Sequence, residues 1–175
     1  LTISVPSKLW HHNVFGGDME RLFSLNLVRL VDHFETKSHC LEYMTGMLAE
    51  TGALSFPDRF LSAVKGREEI MSTGIGRGVA IPHARDLTVN RLQIAVCVTQ
   101  EPFEFQAIDD QPVRLIFLIA VPQGSNNLYM KILRSLSEYL RQDEARNKLL
   151  NAIDEKELYG YVHEIEVRVL DDLRS

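Results

Sequence analysis

Two runs of apolar residues, Leu92 to Val98 and Val113 to Val121, constrain the fold of this chain more than any other feature. Both are rich in β-branched residues, and neither alternates between polar and apolar. A strand wet on one face alternates; one that does not is buried on both faces and needs a layer of structure on each side. The longest wholly apolar stretch, Leu115 to Val121, is far too short to cross a bilayer as a helix. The partners of these strands are helices. Thr36 or Ser38 can cap a helix whose apolar positions are Cys40, Leu41, Met44, Met47 and Leu48, and Gly52 is its natural stop. Pro57 suits the first turn of a second helix with Phe60, Leu61 and Val64 on one face. After the loop Gln123-Gly124-Ser125-Asn126, the stripe Tyr129, Ile132, Leu133, Leu136 and Leu140 predicts a third. Residues Asp143 to Ile153 and Asp154 to about Glu166 predict two more. Leu25 to Val31, Val79 to Ile81 and an edge-like Phe103 to Phe105 complete the expected strands. Strands mixed with helices at short spacing imply a layered α/β sandwich.

Composition narrows the class of partner. With 45% hydrophobic and 25% charged residues, the 175-residue chain is an ordinary globular protein with enough length for one real core. A net charge of −5 and the lack of a basic run argue against nucleic acid. No charged and apolar leader opens the chain, so secretion is not expected. Cys40 and Cys97, 57 positions apart, are expected to be buried thiols and not a disulfide, as in a reducing cytoplasm. Leu1 to Gly17 has no sustained period and reads as an extension.

The chemistry concentrates in T-G-I-G-R-G-V-A-I-P-H-A-R, Thr73 to Arg85. Gly74, Gly76 and Gly78 give G-x-G-x-G, but a helix precedes them and a strand follows, the reverse of a dinucleotide-binding turn. No G-K-[ST] follows for a Walker loop, and Pro82 stands where a kinase V-A-I-K would carry its lysine. What remains is a loop whose backbone can approach a protein or a phosphate closely. Pro82 ends the short apolar run, and His83 follows at its mouth on stiffened backbone. A lone histidine at a strand end is usually structural, its ring satisfied by a carbonyl. Here Arg77 and Arg85 flank it. A neutral imidazole is a good nucleophile toward phosphorus, and guanidinium groups suit a phosphoryl dianion. The segment reads as a phosphohistidine site. His163 has no second histidine four residues on, and there is no C-x-x-C or G-x-S-x-G, so a metal is not expected.

The same thirteen residues resemble the active-site signature of the type 2 enzyme IIA domains of the bacterial phosphoenolpyruvate-dependent phosphotransferase system (PTS), the mannitol/fructose class that includes the nitrogen-regulatory branch. The similarity extends to R-E-E-I (Arg67 to Ile70), V-R-L-I-F-L-I-A-V-P (Val113 to Pro122) and N-N-L-Y-M-K-I-L-R-S-L (Asn126 to Leu136), covering roughly Leu25 to Glu166. It implies one domain over 25–166, a mixed β-sheet sandwiched between helices, with an N-terminal extension over 1–24 and a C-terminal tail over 167–175.

The resemblance also implies a mechanism. His83 would be the phosphoryl acceptor, and Arg67, sixteen residues before it, a stabiliser of the phosphate or of the site. Phospho-HPr would be the donor and a IIB cysteine the acceptor, with sugar entering through a membrane IIC partner. The chain would be a cytoplasmic phosphotransferase component needing no nucleotide, metal or other cofactor and inserting in no membrane. In the nitrogen-related branch, the same histidine's state would instead control regulatory protein partners. One position departs from the family: many members carry a second histidine where this chain has Tyr129. Tyrosine can donate one hydrogen bond to a phosphoryl oxygen but carries no positive charge at neutral pH.

Overall fold

The structure, a computed structural model, describes residues 21–175. Six strands form one mixed sheet: β1 (Val28–Val31), β2 (Gly74–Gly76), β3 (Val79–Ala80), β4 (His83–Asp86), β5 (Gln93–Phe103) and β6 (Val113–Pro122). β1 runs parallel to β5, β5 antiparallel to β6, and β6 parallel to both β3 and β4, while β2 lies antiparallel on β3. Helices α1 (Lys37–Glu50) and α2 (Pro57–Ile70) cover one face. The other carries α3 (Asn126–Leu140), α4 (Asp143–Leu150) and α5 (Glu155–Arg174). This is the expected α/β sandwich, and β6 explains it. Ile116, Leu118 and Ala120 point into the α1–α2 core, and Leu115, Phe117, Ile119 and Val121 into the α3–α5 core. Both sets are buried, so the run has nothing to alternate with.

Local chemistry sets the helix ends. The Thr36 hydroxyl accepts from the His39 N–H at 3.0 Å, so Thr36 and not Ser38 caps α1. Gly52 follows α1 at φ 79°, a left-handed conformation that favours glycine. Pro57 opens α2. The Asp154 carboxylate accepts from Glu157 N–H at 2.8 Å and so starts α5.

Several expectations change. The expected strand over Leu25–Val31 begins as a 3-10 turn, Leu25–Leu27, and becomes β-structure only at Val28. Phe103 is the outer end of β5 beyond a register shift, and Phe105 is fully buried, so no separate edge strand exists there. Within the expected extension over 1–24, Leu22 and Phe23 are buried, and the Leu22 carbonyl accepts from Ile94 N–H at 2.8 Å. The rest of the expected extension, residues 1–20, lies outside the described residues. The expected tail over 167–175 is the last part of α5, held by buried Val169 and Leu173. Cys40 and Cys97 are buried free thiols whose pKa values burial pushes up.

The glycine segment is not an open loop. It folds into the β2–β3 hairpin, with Gly76, Arg77 and Gly78 at φ 97°, 58° and 77° in the turn. A Cβ on Gly74 would stand 2.7 Å from Ala107 Cα, so close backbone packing requires that glycine.

Candidate functional site

β3 and β4 behave as one strand with a flaw. Val79 pairs with Leu115 and His83 with Ile119, the same offset against β6 on either side of Ile81-Pro82. Pro82 has no N–H to offer the ladder. Its carbonyl still accepts from Ile119 N–H at 2.9 Å. His83 is therefore the first residue of β4 and not the end of a strand over Val79–Ile81. Ala84 faces the α1–α2 core. Strand alternation turns His83 and Arg85 to the opposite face, toward α3. There the Arg85 guanidinium carbon lies 5.6 Å from the centre of the Tyr129 ring, within reach of a cation–π contact in the first turn of α3. Arg85 and His83 are one pleat apart, about 7 Å along the strand. Tyr129 is half-buried and also packs against the α3–α5 core.

The ring of His83 has a defined state. Its Nδ1 lies 2.9 Å from the Ile81 carbonyl oxygen. A carbonyl can only accept, so Nδ1 carries the proton and Nε2 keeps its lone pair. Burial is the largest cause lowering the His83 pKa; the Ile81 carbonyl opposes it, Arg67 adds to it, and Glu68 opposes it. The net direction is down, which keeps the imidazole neutral and nucleophilic at neutral pH.

α2 packs on β4 and brings Arg67 to the site from its last turn. Arg67 donates from Nη1 to the Met71 carbonyl at 2.7 Å, and its charge acts on His83. Arg77 is elsewhere. It sits at the hairpin tip, beyond Val79, which is itself about 13 Å along the strand from His83. There it donates to the Arg141 carbonyl at 2.9 Å beside Asp143. Large apolar side chains stand exposed on the elements that carry these residues: Ile70 and Met71 beyond Arg67, Leu87 after β4, and Met130 beside Tyr129.

One group at the site was not anticipated. Glu68, 7% exposed, accepts from Thr73 N–H at 3.1 Å and from the Thr73 hydroxyl, and pairs with Lys37 Nζ at 2.6 Å. The signal was available: Glu68 follows Phe60 and Val64 at intervals of four, a carboxylate on the buried stripe of α2. No group of three or more His, Cys, Asp or Glu side chains gathers into a metal site among the described residues. No helix among them is long and apolar enough to cross a membrane.

The chain is similar to known proteins in sequence and in fold. The family model described as "Phosphoenolpyruvate-dependent sugar phosphotransferase system, EIIA 2" matches residues 21–165. A "PTS system fructose-specific EIIA component" from Haloferax volcanii is 30% identical over 148 residues, covering 85% of this chain and 96% of that protein. A "Nitrogen regulatory protein" from Escherichia coli is 32% identical, over 77% of this chain and 82% of its own length. A fructose-specific EIIABC component of Bacillus subtilis is 31% identical, and this chain spans only 22% of it. Among solved structures, the nitrogen regulatory protein IIA-Ntr of Neisseria meningitidis superposes with a TM-score of 0.72 at 28% identity, over 85% of this chain and 96% of that one. The mannitol IIA of E. coli shares the fold, with a TM-score of 0.70 at 20% identity over 80% of this chain and 98% of that one. The chain belongs to the EIIA type 2 family of the phosphoenolpyruvate-dependent sugar phosphotransferase system.

Proposed function

We propose that this chain is a cytoplasmic phosphoryl carrier. His83 takes a phosphoryl group from phospho-HPr on Nε2 and hands it to a cysteine of a IIB partner, feeding uptake of a fructose-type sugar through a membrane IIC. The observation that carries this reading is the bond from His83 Nδ1 to the Ile81 carbonyl, which leaves Nε2 as the unprotonated nitrogen. Attack forms an Nε2–phosphorus bond as the bond to the donor breaks, and the positive charge that develops on the ring is shared with the held Nδ1–H. A loose phosphoryl transition state asks the protein mainly to position groups and screen charge. Arg67 supplies charge on one side, and the Arg85–Tyr129 pair lines the other. Exposed Ile70, Met71, Leu87 and Met130 offer a shallow apolar rim on which HPr and IIB dock in turn. The sugar class rests on the fructose-specific relative that is matched over 96% of its length.

The test is intact-mass analysis after incubation with phosphoenolpyruvate, enzyme I and HPr. An acid-labile phosphoryl adduct is expected on wild type and not on His83→Ala. Labelling of His83→Ala at another histidine would refute the site assignment.

A second reading is a nitrogen-regulatory module whose phosphorylation state controls protein partners. The 32% identity to the E. coli nitrogen regulatory protein favours it, as does Tyr129 in place of a second histidine. Neighbouring IIB and IIC genes support transport; nitrogen-control neighbours support regulation.

A further inference from the structure

A single hydrogen-bonded line runs from a buried ion pair to the ring of His83. Lys37, the first residue of α1, pairs with Glu68 at 2.6 Å. The Glu68 carboxylate accepts from both the N–H and the hydroxyl of Thr73. The Thr73 carbonyl accepts from Ile81 N–H at 3.0 Å, and the Ile81 carbonyl accepts from His83 Nδ1–H at 2.9 Å. From His83 to Glu68 each link points the same way, toward the carboxylate, and Lys37 donates to that carboxylate from the other side. The chain thus ends on the one ring nitrogen whose proton decides which nitrogen can attack.

The ion pair is not an ordinary surface contact. The Glu68 side chain is 4% exposed and that of Lys37 17%, and the Lys37 ammonium also lies 4.5 Å from the centre of the Phe105 ring. Enclosure makes such a pair rigid, because a carboxylate that leaves its partners is left buried and uncompensated. Glu68 also adjoins Arg67 on the last turn of α2, so one anchor sets the place of both the guanidinium and the imidazole. The backbone at Ile81-Pro82 needs such support. The β6 ladder holds it at the Pro82 carbonyl, but Pro82 itself donates nothing.

We propose that Glu68, braced by Lys37, is a positioning residue for His83: through Thr73 and the Ile81 backbone it holds the imidazole as the Nδ1–H tautomer, with Nε2 presented to the donor. The proposal rests on the carrier reading for its effect on rate, but its effect on the ring does not depend on that reading. Positioning groups of this kind act on reaction more than on encounter. The apolar rim that meets the donor is left intact.

The experiment is 1H–15N correlation spectroscopy of the histidine side chains in the full chain, above the pH at which His83 is protonated, with His83→Ala assigning the signal. The initial rate of phosphoryl uptake from phospho-HPr is measured alongside. Wild type is expected to hold one tautomer, with the proton on Nδ1. Glu68→Gln keeps the shape and one acceptor oxygen but loses the charge. It is expected to give mixed tautomers and a maximal uptake rate lower by about ten- to a hundredfold, with the half-saturating phospho-HPr concentration unchanged. Thr73→Val removes the hydroxyl bond to the same carboxylate while keeping the N–H bond. It is expected to act in the same direction with a smaller effect, which covers the case in which Glu68→Gln does not fold. Variants that keep the single tautomer overturn the proposal, whether or not uptake slows, since loose packing alone can slow it. A wild type that takes up no phosphoryl group refutes the carrier reading instead, and the tautomer spectra still decide the role of Glu68.

Discussion

Gly74 and Gly46 invite the same substitution with opposite consequences. In β2, a Cβ on Gly74 would meet both the Cα and the Cβ of Ala107 at 2.7 Å, and neither is the movable end of a long side chain. Forcing a methyl into such a contact costs about 1–3 kcal/mol. Gly74 has an ordinary φ, so alanine also gains about 0.4–1 kcal/mol by restricting the unfolded chain. The net for Gly74→Ala is a loss of about 1.5 kcal/mol, which for a domain of this size lowers Tm by about 3–6 °C. Gly46 is an exposed position inside α1 with nothing within 4 Å of its would-be Cβ. Gly46→Ala should stabilise by about 0.5–1 kcal/mol from helix propensity alone. Urea denaturation of the two variants and wild type measures both effects, with equal m-values expected. Two shifts of the same sign would refute the reasoning, because the difference rests wholly on what each methyl meets.

Lys37→Met keeps an apolar stem over Phe105 and strips Glu68 of its charge partner. A loss of about 3 kcal/mol is expected by denaturation, and a loss under about 1 kcal/mol would show the pair to be solvated. In an NMR titration, His83 should lose its charge at a midpoint below about 6.5, because burial depresses its pKa, and Arg67→Ala should raise that midpoint. The linked stability has a definite sign. The unfolded chain binds the proton more readily, so His83 makes the fold less stable as pH falls from the unfolded pKa toward the lower folded one, and a change of the opposite sign contradicts the burial assignment. Tyr129→His is expected to speed phosphoryl uptake or lengthen the life of the phosphorylated form; an unchanged rate assigns Tyr129 to packing against Arg85 and the α3–α5 core.

Much of the site was legible one residue at a time. His83 and Arg67 stand out because their chemistry and spacing match a known signature; α2 packs on β4, and the charge of Arg67 acts on the His83 ring. Arg77 stands closer to His83 in sequence than Arg67 does but lies at the far end of a hairpin, since chain separation along a strand becomes distance. Glu68 was readable as a carboxylate on an apolar stripe, but its partners Lys37 and Thr73 were not. They come from the start of α1 and the start of β2, and only packing joins them.

Sequence alone determined the layers. Two strands without alternation must be covered on both faces, and capped amphipathic helices are what the chain offers to cover them. It also determined that Pro82 would interrupt its strand just before His83, because proline has no N–H wherever it sits. Tertiary structure decided that β3 and β4 keep one register against β6 across that break, and that the glycines close a hairpin. It also decided which nitrogen of His83 is free. A ring's tautomer depends on the acceptor placed against it. That acceptor, the Ile81 carbonyl, is placed by contacts with residues distant along the chain.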